Sequence, residues 1–290
     1  MPMHTAVLTC IYPGAENFVP DFIESLSGQS QRTFTLLVLN DGVADCERLF
    51  QDTPFATRVV ALEGTPAKIR KAGIEWLSRN DFDAVVFADI DDRFEANRVE
   101  MSVSLLEKST VVFNELVFFG TGISEESMFG GRFSEGDRFD ASSILTCNFL
   151  GLSNTAALVQ AVAGAAAKTS DDVIAFDWAL FSRVLTDGQT AIYTSKTCTY
   201  YRQHGANIAA PRKFSENDIL RGLTVKTRHY KALSDLGGAY RELGHSFAKL
   251  NEIITSDSAF ASLYFSTVRA KSPARPLWWE TICAAEELYS

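Results

Sequence analysis

The sequence predicts an α/β fold: a mostly parallel central sheet flanked by helices, followed by a helical C-terminal extension. Three observations predict it. Apolar runs of strand length alternate with amphipathic helix patterns as far as residue 106. Those runs are continuously apolar, as expected of parallel strands covered on both faces. Beyond residue 215 only helical spacing remains.

The first strand is "TAVLTCI" (5–11), and "NFVPDFIESLSGQ" follows it with Phe18, Phe22, Ile23 and Leu26 at helical spacing. "FTLLVLN" (34–40) is a second strand and leads to a short helix in "ADCERLFQD". "TRVVALE" (57–63) is a third, before an amphipathic helix at 66–80 carrying Ile69, Ala72, Ile74, Trp76 and Leu77. "DAVVFADI" (83–90) is a fourth, with a helix over 95–106 after it. The rhythm then changes. "TVVFNELVFFG" (110–120) reads as a strand, and 121–139 as a polar, Gly-rich loop of a length that usually serves a function. A strand at 144–150, helices at 154–167 and 174–185 and a strand at 190–195 complete a domain spanning 1–210. The extension, 211–290, carries helix patterns at 215–236, 239–255, 258–270 and 277–288.

A 290-residue chain with 46% hydrophobic and 22% charged residues suits a soluble globular protein, and 21 Phe suggest a well-filled core. The net charge of −9 argues against a nucleic-acid partner, which would demand a basic face. Five scattered cysteines without a C-x-x-C pair point away from a zinc knuckle or disulfide framework and toward a reducing, cytoplasmic compartment. No secretory leader is expected. The small-residue run 156–167 falls short of the ~20 residues that span a bilayer, so peripheral attachment at the inner membrane face is the one membrane role retained.

Open parallel sheets bind ligands at the carboxyl ends of their strands. The chain puts Thr9, Asp41 and the Asp89–Asp92 cluster there. Asp89 and Asp91 are two apart in an extended segment and project to one side, while Asp92 begins the turn. Two ionised carboxylates this close repel unless a cation or hydrogen-bond donors intervene. Mg²⁺ or Mn²⁺ commonly takes one or two carboxylates together with a substrate's phosphates, which gives a metal–diphosphate reading. The plain alternative is a helix cap within a solvated turn. Asp41, in "LLVLNDG", adds a carboxylate at the same edge that can accept from a base's N–H, although an isolated N-D-G is usually only a turn.

Taken in order, "VLTCIYPGAENFVPDFIESLSGQ" (7–29), "GTPAKIRKAGIEWL" (64–77), "FADIDDRF" (87–94), "CNFLGLSNTAAL" (147–158), "FDWALFSRVL" (176–185) and "YYRQHGANI" (200–208) resemble the inverting family-2 glycosyltransferases of GT-A fold. The last segment is similar to that of bacterial rhamnosyltransferase-like members. The chain departs from the pattern at Val43, usually Ser, at Lys71, usually Asn, and at Phe176, usually Glu. The resemblance implies metal-dependent transfer, with inversion, from a UDP-, dTDP- or GDP-sugar to the hydroxyl of a saccharide or lipid-linked acceptor, in bacterial surface polysaccharide or glycan synthesis. It implies Thr9 and Asp41 at the nucleobase, helped by the backbone at Cys10 and Ile11, and Arg70 near the base or diphosphate. Asp89 would face the ribose or the metal's waters, Asp91 would ligate Mn²⁺ or Mg²⁺, and Asp92 would stand behind it. Asp177 falls at the catalytic base, and Arg202 and His204 would close over the diphosphate or metal.

Asp177 also heads a helix, where the dipole alone favours a carboxylate. Asp171 and Asp172 read as loop or cap residues, His229 and His245 as surface residues, and Glu115 as a strand end facing solvent or the acceptor. Trp278 and Trp279 precede a Glu-rich segment unsuited to anionic lipid. Packing on the catalytic domain or a second subunit is expected of them, and the C-terminal helices are the candidate contact of a homo-oligomer. Rival activities are nucleotidyl or phosphoryl transfer, whose G-x-x-x-x-G-K-[ST] loop is missing, and non-catalytic sugar-nucleotide binding, against which the intact Asp91 and Asp177 argue.

Overall fold

A computed structural model describes residues 2–120, 123–203, 215–273 and 275–284. Its strands are β1 (Thr5–Ile11), β2 (Thr35–Asn40), β3 (Ala56–Ala61), β4 (Ala84–Phe87), β5 (Arg93–Phe94), β6 (Val111–Gly120), β7 (Ile123–Ser127), β8 (Arg138–Phe139), β9 (Thr155–Leu158) and β10 (Ala191–Arg202). Its helices are α1 (Val19–Ser27), α2 (Cys46–Leu49), α3 (Pro66–Arg79), α4 (Arg98–Leu106), α5 (Val159–Lys168), α6 (Phe176–Thr186), α7 (Glu216–Ala232), α8 (Gly238–Ser256) and α9 (Ser258–Lys271).

The sheet runs β3-β2-β1-β4-β9-β6-β10-β5, with β7 on β6 and β8 on β10. The first four strands are mutually parallel and β10 is parallel to β6, while β9 lies antiparallel between β4 and β6. Neighbouring residues along a strand face opposite sides. Ala6, Leu8, Leu37 and Leu39 meet the face covered by α3, α5 and α6, and Val7, Leu36 and Val38 meet the face covered by α1 and α4. Both faces are thus buried, which is why these strands read as unbroken apolar runs. α3 starts where Thr65 accepts from the Lys68 N–H at 3.3 Å and Pro66 presets the first turn. Within it Gly73 lets the helix sit close on β2, since a Cβ there would come within 2.5 Å of Leu39.

Several elements differ from expectation. Residues 155–158 leave the predicted helix to form β9, because antiparallel pairing to both β4 and β6 outweighs the local helical pattern. Instead of a strand at 144–150, a 3₁₀ turn (Ala141–Ile144) precedes one bridging residue, Asn148. The predicted loop at 121–139 is anchored by β7 and β8, and Phe129, Phe133 and Phe139 join Phe113, Phe149 and Tyr193 with ring centroids 4.8–6.0 Å apart. That layer accounts for part of the phenylalanine content. No helix forms over 277–284, where Trp279 sits at φ 65°, outside the right-handed helical region.

The C-terminal helices share one continuous core with the sheet: Ile219, Leu223, Tyr230, Phe247 and Tyr264 cluster with residues of α5 and α6. α7 opens with a capping box between Ser215 and Asp218. His229, expected at the surface, is buried with its ring stacked 3.7 Å from Trp178, and burial holds its pKa well below the usual imidazole value. Its helix face packs inward against α6. Among the described residues no helix is long and apolar enough to cross a membrane.

Candidate active site

A cleft of about 380 Å³ opens at the carboxyl ends of β1, β2 and β4. It gathers Asp41, Arg70, Asp89, Asp91 and Asp177, all singled out in the sequence, from four separate segments. Asp41 lies just past β2, where its N–H donates to the Ile11 carbonyl at 2.9 Å. Arg70 comes from the first turns of α3, and Asp177 from the first turn of α6. Asp89 and Asp91 leave the end of β4.

The electrostatics of this cluster follow from its depth. Burial pushes Asp89 up to about 6, Arg70 opposes the rise, and Asp91 and Asp177 add to it. Burial also raises Asp177, against the Trp178 backbone N–H, Arg70 and the Asn148 amide, whose Nδ2 donates to Asp177 Oδ2 at 3.0 Å. Arg70 makes no hydrogen bond or ion pair with any described residue, so its charge remains available to a ligand.

Asp92 turns away into the protein and is fully buried. It accepts from the Ser153 hydroxyl and, at 2.8 Å, from the Arg202 N–H. Burial, then Asp91 and Asp89, hold its pKa well above the usual carboxylate value. Beneath lies Arg98, also buried, donating to the Phe87 carbonyl at 2.6 Å and to Asn114 Oδ1 at 3.1 Å. Burial brings Arg98 down to about 9, with Asp92 and Asp89 opposing. A buried cation under the exit of β4 offsets part of the cost of crowding carboxylates there.

Other predicted residues take different places. Thr9 is not on the cleft wall: its hydroxyl is buried without a partner among the described residues, and Cys10, next along β1, faces the cleft instead. Burial pushes the Cys10 thiol up to about 11, which removes it as a nucleophile. The guanidinium of Arg202 is already engaged. Its Nη2 pairs with Asp21 at 2.6 Å, its Nε donates to the Asp91 carbonyl at 2.6 Å, and the group lies 4.5 Å over Phe119. Arg202 therefore ties the Asp91–Asp92 turn in place. His204 lies outside the described residues. Glu115, expected to face solvent or the acceptor, accepts from the Leu116 and Phe129 N–H groups and the Tyr193 hydroxyl.

Sequence reasoning gave no place in the cleft to five contributors. Tyr12, 39% exposed, lines the cleft within the field of Asp91 and Asp89. Asn148 lay within a quoted motif, yet nothing local revealed that it orients Asp177. Tyr201 and the Trp278–Trp279 pair line the far wall, brought there by contacts between distant parts of the chain. Among the described residues no three His, Cys, Asp or Glu side chains converge into a metal cage. Asp89 and Asp91 nonetheless offer two carboxylates at one cleft, and a substrate diphosphate would supply further oxygens, so the donor set fits a hard divalent ion.

No protein-family model and no curated protein sequence matches the chain. Solved structures do. S. aureus TarS (residues 1–349) in complex with UDP aligns with a TM-score of 0.61 at 16% identity, over 87% of this chain and 72% of that one. The same protein in complex with UDP-GlcNAc aligns at 0.59 and 14%, over 93% and 82%. The mannosyltransferase PcManGT from Pyrobaculum calidifontis, in complex with GDP-Man and Mn²⁺, aligns at 0.58 and 14%, over 94% and 77%. Such identities establish architecture, and the chain has the GT-A fold.

Proposed function

We propose that the protein is an inverting, metal-dependent glycosyltransferase that moves a sugar from a nucleotide-diphosphate donor to an acceptor hydroxyl. One observation carries this reading: a single cleft on a GT-A fold holds Asp41, Arg70, Asp89, Asp91 and Asp177 together, with the Arg70 charge unengaged by described residues. The nucleotide and nucleotide-sugar ligands of the structural neighbours, UDP, UDP-GlcNAc and GDP-Man, support a donor of this class. The similarity of "YYRQHGANI" to rhamnosyltransferase-like members favours a deoxyhexose among donor sugars.

In this reading Asp41 accepts from the base N–H and the Tyr12 ring covers the base face. Arg70 meets the diphosphate, whose charge grows as the bond from the anomeric carbon to the phosphate oxygen breaks. Asp91, with Asp89 beside it, would hold Mn²⁺ or Mg²⁺, and the Mn²⁺ bound by the mannosyltransferase neighbour supports that choice. When bound, the ion supplies neutralisation of the leaving group. The acceptor oxygen attacks the opposite face of the anomeric carbon, and Asp177 takes its proton. Release of a nucleoside diphosphate and inversion at the anomeric carbon complete the balance. The acceptor is a saccharide or a lipid-linked saccharide, and the reaction belongs to cytoplasmic assembly of surface polysaccharide or glycan, at or near the inner membrane face.

The test is nucleoside diphosphate release from a panel of UDP-, dTDP- and GDP-sugars, with and without Mn²⁺, across mildly acidic to neutral pH. One nucleotide class should turn over, with stimulation by Mn²⁺. Asp177 works deprotonated and burial raises its pKa, so activity should fall with decreasing pH above the ordinary aspartate value of about 4. Neither transfer nor hydrolysis from any donor in the panel would retire the reading.

A further inference from the structure

Resting on the glycosyl-transfer reading above, we infer that Trp279, braced by Trp278, forms the wall of the acceptor subsite and stacks on a pyranose ring of a saccharide acceptor. The sheet order separates the two ends of the cleft. Asp41 and Tyr12 follow β2 and β1 on one side of β4. Ser153, Tyr201 and the two tryptophans belong to the β9, β6 and β10 side. Asp89 and Asp91 stand at the exit of β4 between β1 and β9, and Asp177 is joined to the tryptophan side through Asn148. A donor whose base sits at Asp41 and whose diphosphate sits at Arg70 leaves the tryptophan end for the attacking sugar.

That end is built rigidly from the C-terminal segment. Asn148 N–H donates to the Trp278 carbonyl at 2.9 Å, and the Trp278 ring lies against Gly151, where a Cβ would come within 2.7 Å of it. Tyr201 meets the same ring edge-on at 6.1 Å between centroids. Glu280 receives the Leu277 N–H at 2.7 Å and pairs with Arg132 through both oxygens at 2.9 and 3.0 Å, while the Lys226 ammonium donates to the Ile282 carbonyl. These ties hold Trp279 at φ 65°, a conformation bulky residues adopt only when their surroundings impose it. The result is a half-buried indole on the cleft wall.

The chemistry of the wall fits a sugar. The C–H hydrogens on one face of a pyranose carry partial positive charge and complement the negative face of an indole. Asn148 joins this wall to the reaction, because the residue that bridges to Trp278 also donates to Asp177. A sugar held on Trp279 presents its hydroxyl within one frame with the proton acceptor.

Initial rates with p-nitrophenyl pyranosides as acceptors test the inference, alongside calorimetric affinities for UDP and GDP in Mn²⁺. Trp279→Gly, which suits the positive φ, and Trp279→Ala should raise the acceptor KM about tenfold or more, and Trp279→Phe should recover most of the loss. Nucleoside diphosphate affinity should not move in any of the three. An unchanged acceptor KM, or a rise in donor KM alone, overturns the inference. Donor hydrolysis without transfer to any pyranoside overturns the saccharide wall and leaves the transfer reading standing. Wild-type protein that neither turns over nor binds a nucleoside diphosphate refutes that reading and this inference with it.

Discussion

Asp177→Asn is expected to cut turnover by at least about 10²-fold while nucleoside diphosphate affinity stays near that of the wild type. The amide keeps the size of the carboxylate and its place in the first turn of α6, but it cannot take a proton from an attacking hydroxyl. The side chain is already aimed by the Asn148 amide at 3.0 Å, so losing the base, and not losing its position, sets the size of the effect. Asp177 is also one of the charges that push Asp89 up, so removing it should let Asp89 ionise more readily. Single-turnover rates with a saturating donor, read against calorimetric affinity, separate the two quantities. Turnover at the wild-type rate would clear Asp177 of the role.

Asp91→Ala should abolish the Mn²⁺-dependent part of nucleoside diphosphate affinity. Partners that only orient a metal's ligands already cost about 10–100-fold when removed, and a direct ligand should cost more. The turn itself should survive. The Asp91 contact to Arg202 runs through the main-chain carbonyl, and Asp92 keeps its bond from the Arg202 N–H, so the substitution removes a carboxylate without removing the scaffold. Titration of UDP and GDP with and without Mn²⁺ measures the difference. Equal affinity for variant and wild type in the presence of Mn²⁺ would take Asp91 out of the site.

The legible part of this molecule was whatever a single strand and its exit could encode. Continuous apolar runs marked β1, β2 and β4 as strands buried on both faces, and a carboxylate after such a run can only stand at the sheet's edge. Asp41, Asp89 and Asp91 were therefore readable, and the motif order supplied Arg70 and Asp177. Features decided by distant contact were not. β9 carries a helical pattern and becomes a strand because β4 and β6 leave a gap for it. Arg202 was visible as a cation beside the cluster, but its engagement with Asp21 and the Asp91 carbonyl depends on α1 and the β4 turn meeting β10. Thr9 and Cys10 show the period of two at work: a one-residue shift along β1 decides which side chain meets the cleft. Trp278 and Trp279 read as the start of a helix, and only pairing with Asn148 turns them into a wall.

In the proposed reaction Arg70 and the acidic tip of β4 bracket a nucleotide sugar's two phosphates. A crystal structure of the protein with Mn²⁺ and the donor nucleotide tests it most directly. It should show the ion on Asp91, the diphosphate reaching the Arg70 guanidinium, and the base beside Asp41. Nucleotide density elsewhere on the molecule, with this cleft holding only water, would contradict it.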